Sequence, residues 1–261
     1  MAKVETERRG PVTVLRINRP EVHNCVDGET ADGIAAAVDA FTAADVARVL
    51  VVTGAGDRAF CSGADLRAAG SLVTRPDAKR TAPMGFAKLD PGKPTIAAVE
   101  GYCFAGGFEL AAWCDFRIGG ETAEFGCLSR RWGVPYVDGG TQRFPRIIGL
   151  GNALYMLETG ARIDAQRAHA MGFLQEIVPP GQALARALEL AGAIATYPNQ
   201  RGILADRASA IGAWDQPLRE GLESEGEAGI ATLTDPSLAD GLARFAAGER
   251  PESPRPAGSA H

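Results

Sequence analysis

"TIAAVEGYCFAGGFELAAWCDFRI" (Thr95 to Ile118) holds the two transitions that decide the architecture. Residues 95–101 are a short apolar run ending in glycine, which reads as a buried strand. Residues 105–113 read as a helix opening on two glycines, and residues 114–118, "CDFRI", as a further strand. Inside the helix sits Glu109, and nothing between Ala105 and Trp113 offers it a cation. A buried carboxylate is costly unless it is paired or hydrogen-bonded. Either the helix turns Glu109 to water, or the fold keeps an acid in an apolar pocket for a purpose.

The same alternation runs outward from this stretch. Residues 12–17, "VTVLRI", alternate and carry β-branched side chains, which predicts a strand. Residues 28–42 are alanine-rich with helical spacing, and "RVLVVTG" (48–54) is another buried strand. "DPGKP" (90–94) marks a loop before Thr95. Strand and helix signals alternate to about residue 178, which predicts an α/β fold. After "PPGQ" (179–182), residues 183–197, 201–213 and 217–232 read as helices with no strand between them. "ERPESPRPAGSAH" (249–261) reads as a disordered tail, and no internal repeat is visible.

Bulk properties narrow the classes of function. The chain has 261 residues, 46% of them hydrophobic, enough for one large core with an appendage. Net charge is −5 with scattered basic residues, which argues against nucleic acid and anionic membrane partners. No signal peptide pattern and no apolar run of the ~18 residues a membrane helix needs are present. Cys25, Cys61, Cys103, Cys114 and Cys127 are odd in number and lack C-x-x-C spacing, the pattern of reduced thiols in a cytoplasmic protein. Three histidines are too few for a histidine-rich metal site, so no metal is expected.

Several motifs yield to plainer readings. "GAGDRA" (54–59) has the outline of a dinucleotide fingerprint, but Asp57 and Arg58 sit inside it and no long helix follows, so it reads as a surface turn. Ser62 lacks a G-x-S-x-G frame. His23 and His169 have no spacing partner and read as structural or solvent-facing. Two glycine turns carry more when taken together: "FCSGADL" (60–66) places Gly63 before Ala64, and "CFAGGFEL" (103–110) places Gly106 and Gly107 at a helix start. Such turns aim free amides into a cavity. Two amides meeting at one point form an oxyanion hole.

"NRPEVHN", "AFCSGADL", "GYCFAGGFELAAWCD", "EFG" and "DGGTQRFPRIIG", in this order and spacing, resemble the crotonase superfamily of enoyl-CoA hydratases and isomerases. The likeness is close over residues 10–180 and looser beyond. It implies a ClpP-like spiral of repeated ββα units over residues 1–195 with the acyl-CoA site. It further implies a C-terminal helical extension over 196–250 for oligomer contacts, with a disordered tail over 251–261. A homotrimer or dimer of trimers follows from the same likeness, as does an acyl-CoA substrate whose coenzyme A is part of the substrate and not a separate cofactor. By motif position the oxyanion donors are the backbone N–H groups of Ala64 and Gly106, and Ala64, Asp65, Leu66, Arg67 and Gly106 line the substrate path. "EVHNC" (21–25) corresponds to the part that meets the nucleotide end of CoA, with Val22 and His23 weakening the usual charge contact.

Glu109 holds the place of one of the two catalytic glutamates of hydratases, which implies an enoyl-CoA hydratase-like lyase with Glu109 as acid/base. The place of the second glutamate holds Ser129, in "FGCLSRRWG". A serine can orient water but is no acid near neutral pH. Asp138, in "YVDGG", either faces the pocket as a substitute or caps the helix starting near Gly139. Trp132 reads as a core or pocket-wall aromatic, and Asp65 as the fixer of its turn. A one-carboxylate isomerase, hydrolase or decarboxylase, and a non-catalytic acyl-CoA-binding protein, are the alternatives.

Overall fold

The computed structural model describes residues 2–251 and 253–255. Of the tail read as disordered, residues 252 and 256–261 lie outside the described residues, and the rest of it has no regular structure.

The chain opens with β1 (Val4–Arg9) and β2 (Val12–Ile17), an antiparallel hairpin turned at Gly10 with φ 60°. Helix α1 (Gly28–Ala43) starts at Asp27, whose carboxylate accepts from the Thr30 amide at 2.9 Å. It presents Ile34, Val38 and Phe41 inward, a stripe of helical spacing. Next come β3 (Val49–Gly54), β4 (Ala59–Cys61) and the short helices α2 (Ala69–Thr74) and α3 (Ala78–Thr81). Strands β5 (Thr95–Val99) and β6 (Tyr102–Phe104) lead into α4 (Gly106–Trp113). Strands β7 (Phe116–Gly120) and β8 (Glu124–Gly126) lead, through a turn of 3₁₀ helix at Leu128–Trp132, into α5 (Gly140–Ile148). Then follow α6 (Leu150–Thr159), β9 (Arg162–Asp164), α7 (Ala165–Ala170) and β10 (Glu176–Val178). The chain ends on α8 (Ala183–Thr196), α9 (Gln200–Gly212), α10 (Leu218–Thr232) and α11 (Pro236–Ala246).

Two sheets organise this sequence of elements. Strands β1-β2-β3-β5-β7-β10 form one and β4-β6-β8-β9 the other. Each of the pairs β3/β4, β5/β6 and β7/β8 sends its first strand to the larger sheet and its second to the smaller, with helix following. This is the ββα spiral. The repeat is geometric and leaves no trace in the sequence, because second strands of three residues carry little pattern of their own.

The central strands are buried on both faces, as expected for parallel strands covered by helices. Val49, Val51, Ile96 and Ala98 face Ala183, Ala187, Ala191 and Ala195, a stripe of small residues that lets α8 lie close on the sheet. Leu50, Val52, Ala97 and Val99 point the other way into the main core. There Phe108 of α4 packs on Phe144 of α5, Phe173 and Phe125, at ring-centroid distances of 4.3, 4.5 and 5.8 Å. The cluster fixes the roll of α4 and hence the direction of its neighbour, Glu109.

The structure adjusts some sequence boundaries. The strand read at 114–118 begins at Phe116, because the Asp115 carboxylate accepts from the Thr95 amide at 2.9 Å and pairs with Arg207 at 2.8 Å. Strand β1, "VETERR", is an exposed edge with no apolar alternation and escapes the sequence reading. Helix α11 also escapes it, although Asp235 caps its first turn through Ser237. No helix of the described residues is long and apolar enough to cross a membrane.

Candidate active site

The site is built where two turns touch. Gly63 has φ 98°, and a Cβ placed on it would lie 2.8 Å from the backbone nitrogen of Gly106. The turn after β4 and the start of α4 are therefore in direct contact. Ala105 sits just before α4 at φ 50°, ψ −121°, a conformation that a residue with a Cβ rarely adopts. A side chain at Gly106 would collide with the Met84 sulfur, and one at Gly107 with the Cys61 carbonyl.

The amide of Ala64 is left unused by its own pairing. Its bridge to Val26 runs through the Gly63 carbonyl, which accepts from Val26 at 2.8 Å, and the Asp65 N–H, which donates to Val26 at 2.8 Å. Among the described residues, neither the Ala64 nor the Gly106 N–H donates to a protein acceptor. Both residues line one cavity of about 230 Å³, together with Ser62, Leu66, Glu109, Ser129 and Asp138.

Glu109 is 3% exposed, so the helix does not turn it to water. Its Oε1 accepts from the amides of Asp138 at 3.0 Å and Gly140 at 2.8 Å, the latter at the first turn of α5. A helix N-terminus favours the charged carboxylate. Burial opposes it and wins: desolvation pushes the carboxyl up to about 8. The charge of Asp138 adds to the rise, while the two amides and Arg143 offset part of it. Oε2 has no protein partner among the described residues.

Asp138 settles into the pocket. It is 2% exposed and its Oδ1 accepts from the Met84 amide at 2.9 Å. Gly139, not Asp138, stands at the cap of α5, and the side chain that bonds to that helix start is Glu109, not Asp138. Desolvation pushes the Asp138 carboxyl up to about 6, against the pull of the Met84 amide and of Arg75 and Arg143. The Ser129 hydroxyl is buried in the wall beside that of Tyr136, without hydrogen-bond geometry between them. Trp132 is 73% exposed and stands with Leu66 and Val137 at the rim, so it is not a core aromatic.

Not every residue assigned by the resemblance lines the cavity. Ala64, Leu66, Gly106 and Glu109 do, whereas Asp65 and Arg67 do not. Asp65 faces Arg19 at 3.0 Å, and its other oxygen accepts from the Arg67 amide at 3.2 Å, holding the turn in shape. The segment 21–25 is locked to that turn through Ser62, whose amide donates to the His23 carbonyl at 3.0 Å. Met84, Arg75 and Arg143 lie outside the sequence reading. Arg75 is buried and donates to Thr81 Oγ1, Ala82 O and Pro83 O at 3.0, 2.9 and 3.2 Å, which fixes the loop that delivers the Met84 amide. A larger cleft of about 930 Å³ between α5 and α9 contains neither glycine turn nor Glu109. Chemistry, not size, selects the smaller one. Among the described residues no group of three or more His, Cys, Asp or Glu is placed to hold a metal ion.

Comparison with known proteins agrees with this architecture. Residues 7–250 match the family model described as enoyl-CoA hydratase/isomerase. A crotonyl-CoA hydratase of Syntrophomonas wolfei is 34% identical over 223 residues, 84% of this chain and 82% of that protein. An enoyl-CoA hydratase of Mycobacterium tuberculosis is 37% identical over 209 residues, 74% of this chain and 77% of its own. The crystal structure of an enoyl-CoA hydratase from Mycobacterium tuberculosis H37Rv superposes with a TM-score of 0.89 at 30% identity, covering 97% of this chain and 98% of that one. The chain belongs to the enoyl-CoA hydratase/isomerase family of the crotonase superfamily. Within it, the chain is an enzyme of the hydratase-like, hydro-lyase class.

The raised carboxyl makes stability depend on pH in a definite direction. Glu109 binds its proton up to about 8 in the folded state, against an ordinary value of 4.5. Between these values the folded state holds more protons than the unfolded one, so the contribution is full at acid pH and is lost as pH rises through the folded value. Denaturant unfolding of the parent and Glu109→Gln should show the parent losing stability relative to the variant, on the order of a few kcal/mol from about pH 4 to about pH 9. A difference that stays flat across this range contradicts the raised carboxyl.

Proposed function

We propose that this enzyme adds water across the double bond of an enoyl-CoA thioester. The thioester oxygen accepts hydrogen bonds from the backbone N–H groups of Ala64 and Gly106, and Glu109 transfers a proton. One observation carries the reading: Glu109, with its unpartnered Oε2, and the two residues with unused amides, Ala64 and Gly106 from touching turns, line the same cavity. Attack on the β-carbon drives electrons onto the carbonyl oxygen as an enolate. Fixed amide donors stabilise that charge without reorganising, each worth roughly 10²–10³ in rate. A carboxyl poised near neutral pH can exchange a proton with carbon or water. Relatives named as crotonyl-CoA and enoyl-CoA hydratases support the choice of reaction. The steps use only amides and carboxyl groups, with coenzyme A entering as part of the substrate.

The substrate path then runs past Ala64, Leu66 and Gly106, while Asp65 and Arg67 shape the turn from outside the cavity. Ser129 at the place of a second acid favours double-bond isomerisation, which needs a single shuttling carboxyl, as the second reading. We assign residues 1–195 to the spiral core with the site and 196–250 to contacts between copies. Five buried free thiols suit a reducing compartment, the cytoplasm.

With crotonyl-CoA, the parent should abolish the absorbance of the conjugated thioester, and Glu109→Gln should lower turnover by about 10²–10⁴-fold while leaving CoA-ester binding nearly intact. Loss of absorbance at parental rate in the variant would make Glu109 structural. A chromophore that persists in the parent rules out hydration.

The C-terminal helices support assembly. Leu218, Ile230, Leu242 and Phe245 are all exposed on α10 and α11, with Leu218 at 79%. Symmetric association covers such faces, and we assign a trimer or a dimer of trimers. Light scattering should return about three or six times the 27.3 kDa chain mass; a monomer at micromolar concentration refutes the assignment.

A further inference from the structure

We infer that Asp138 is the second proton-transfer group of this site, acting as the base opposite Glu109 and replacing the acid that Ser129 does not provide. The inference rests on the hydration reading above. Geometry supports it on three counts. Asp138 and Glu109 line the same cavity, although they are 29 residues apart in sequence. Each has one oxygen anchored by backbone amides: Oδ1 of Asp138 by Met84 at 2.9 Å, and Oε1 of Glu109 by Asp138 and Gly140 at 3.0 and 2.8 Å. The remaining oxygen of each, Oδ2 and Oε2, has no protein partner among the described residues. The backbone of Asp138 also holds Glu109 directly, so the two carboxyls are fixed relative to one another.

Their environments divide the labour. Burial pushes Glu109 up to about 8 and Asp138 up to about 6, so near neutral pH Glu109 carries the proton and Asp138 is ionised. Two carboxyls whose surroundings separate their titrations form an acid and base pair. The charged groups facing Asp138 are Glu109 on α4, Arg143 on α5 and Arg75 after α2. The Met84 amide, Arg75 and Arg143 all pull the Asp138 carboxyl down against burial.

The step balances without a further reactant. Oδ2 of Asp138 takes a proton from water as the water oxygen bonds to the β-carbon. The π pair of the double bond moves through the α-carbon onto the thioester oxygen, between the Ala64 and Gly106 amides. The enolate then collapses, the α-carbon taking the proton of Glu109. Water and alkene become the β-hydroxyacyl thioester, and the proton on Asp138 returns to Glu109 to reset the pair. Ser129 lines the same cavity and is left to orient water.

The test compares the parent, Asp138→Asn and Ser129→Ala with crotonyl-CoA. The amide of Asp138→Asn still accepts from Met84 but cannot take a proton. The parent should show a bell-shaped kcat/KM, its limbs belonging to the coupled pair and falling below about 6 and above about 8. Asp138→Asn should lose about 10²–10⁴-fold in kcat with KM little changed, and its acidic limb should vanish. It should still exchange the α-proton of butyryl-CoA with deuterated solvent, since Glu109 remains. Ser129→Ala should keep both limbs. Full turnover in Asp138→Asn overturns the inference while leaving the hydration reading intact; absence of hydration by the parent overturns the reading itself. Should the variant fail to fold, the parent alone decides: a profile with no acidic limb between about pH 5 and 7 refutes the base role.

Discussion

The rest of the site depends on one carboxyl oxygen. Oε1 of Glu109 accepts from the amides of Asp138 and Gly140 at 3.0 and 2.8 Å, and these bonds join α4 to the loop that begins α5. The start of α4 carries one of the free amides, and the loop carries Asp138. Tying them together places Gly106, Glu109 and Asp138 around one cavity of about 230 Å³. The aromatic cluster beneath, centred on Phe108, keeps α4 from rolling and so keeps the bonds in register.

Two opposed electrostatic effects set the character of Glu109. The amides at the start of α5 favour its charge, and burial disfavours it more strongly, so the acid is raised and not merely neutralised. A similar contest acts on Asp138, where burial raises the carboxyl against the Met84 amide, Arg75 and Arg143. Arg75 contributes twice. Besides its charge, it grips three acceptors in residues 81–83 and thereby places the Met84 amide on Asp138. A buried arginine in an irregular segment is thus part of the scaffold of the site.

What the sequence made legible follows its local physics. The runs at 12–17, 48–54 and 95–101 are long and apolar enough to read as strands, and the end of the alternation near residue 178 coincides with β10. The three-residue strands β4 and β6 overlap segments that read as turns, and β8 gives no strand signal, since so short a strand has no period to detect. Strand β1 hides behind its charges because it is an edge. Within the site, Glu109 and the glycine turns stand out as a buried-acid anomaly and a pair of backbone punctuations. The orientation of Asp138 does not, since "YVDGG" allows both capping α5 and facing inward. Only the position of the Met84 amide, set 54 residues away, decides between them. Arg143 is illegible for the same reason, its acceptor Ala87 lying 56 residues away, while Arg75 grips residues 81–83 within an irregular segment that has no period to read.

Everything proposed for the site turns on Glu109 being held neutral at physiological pH by burial, against the pull of two amides. A direct measurement is the pH titration of its side-chain ¹³C carboxyl signal in selectively labelled protein, assigned by its disappearance in Glu109→Gln. A midpoint at about 8 is expected. A midpoint near the ordinary value of 4.5 contradicts it.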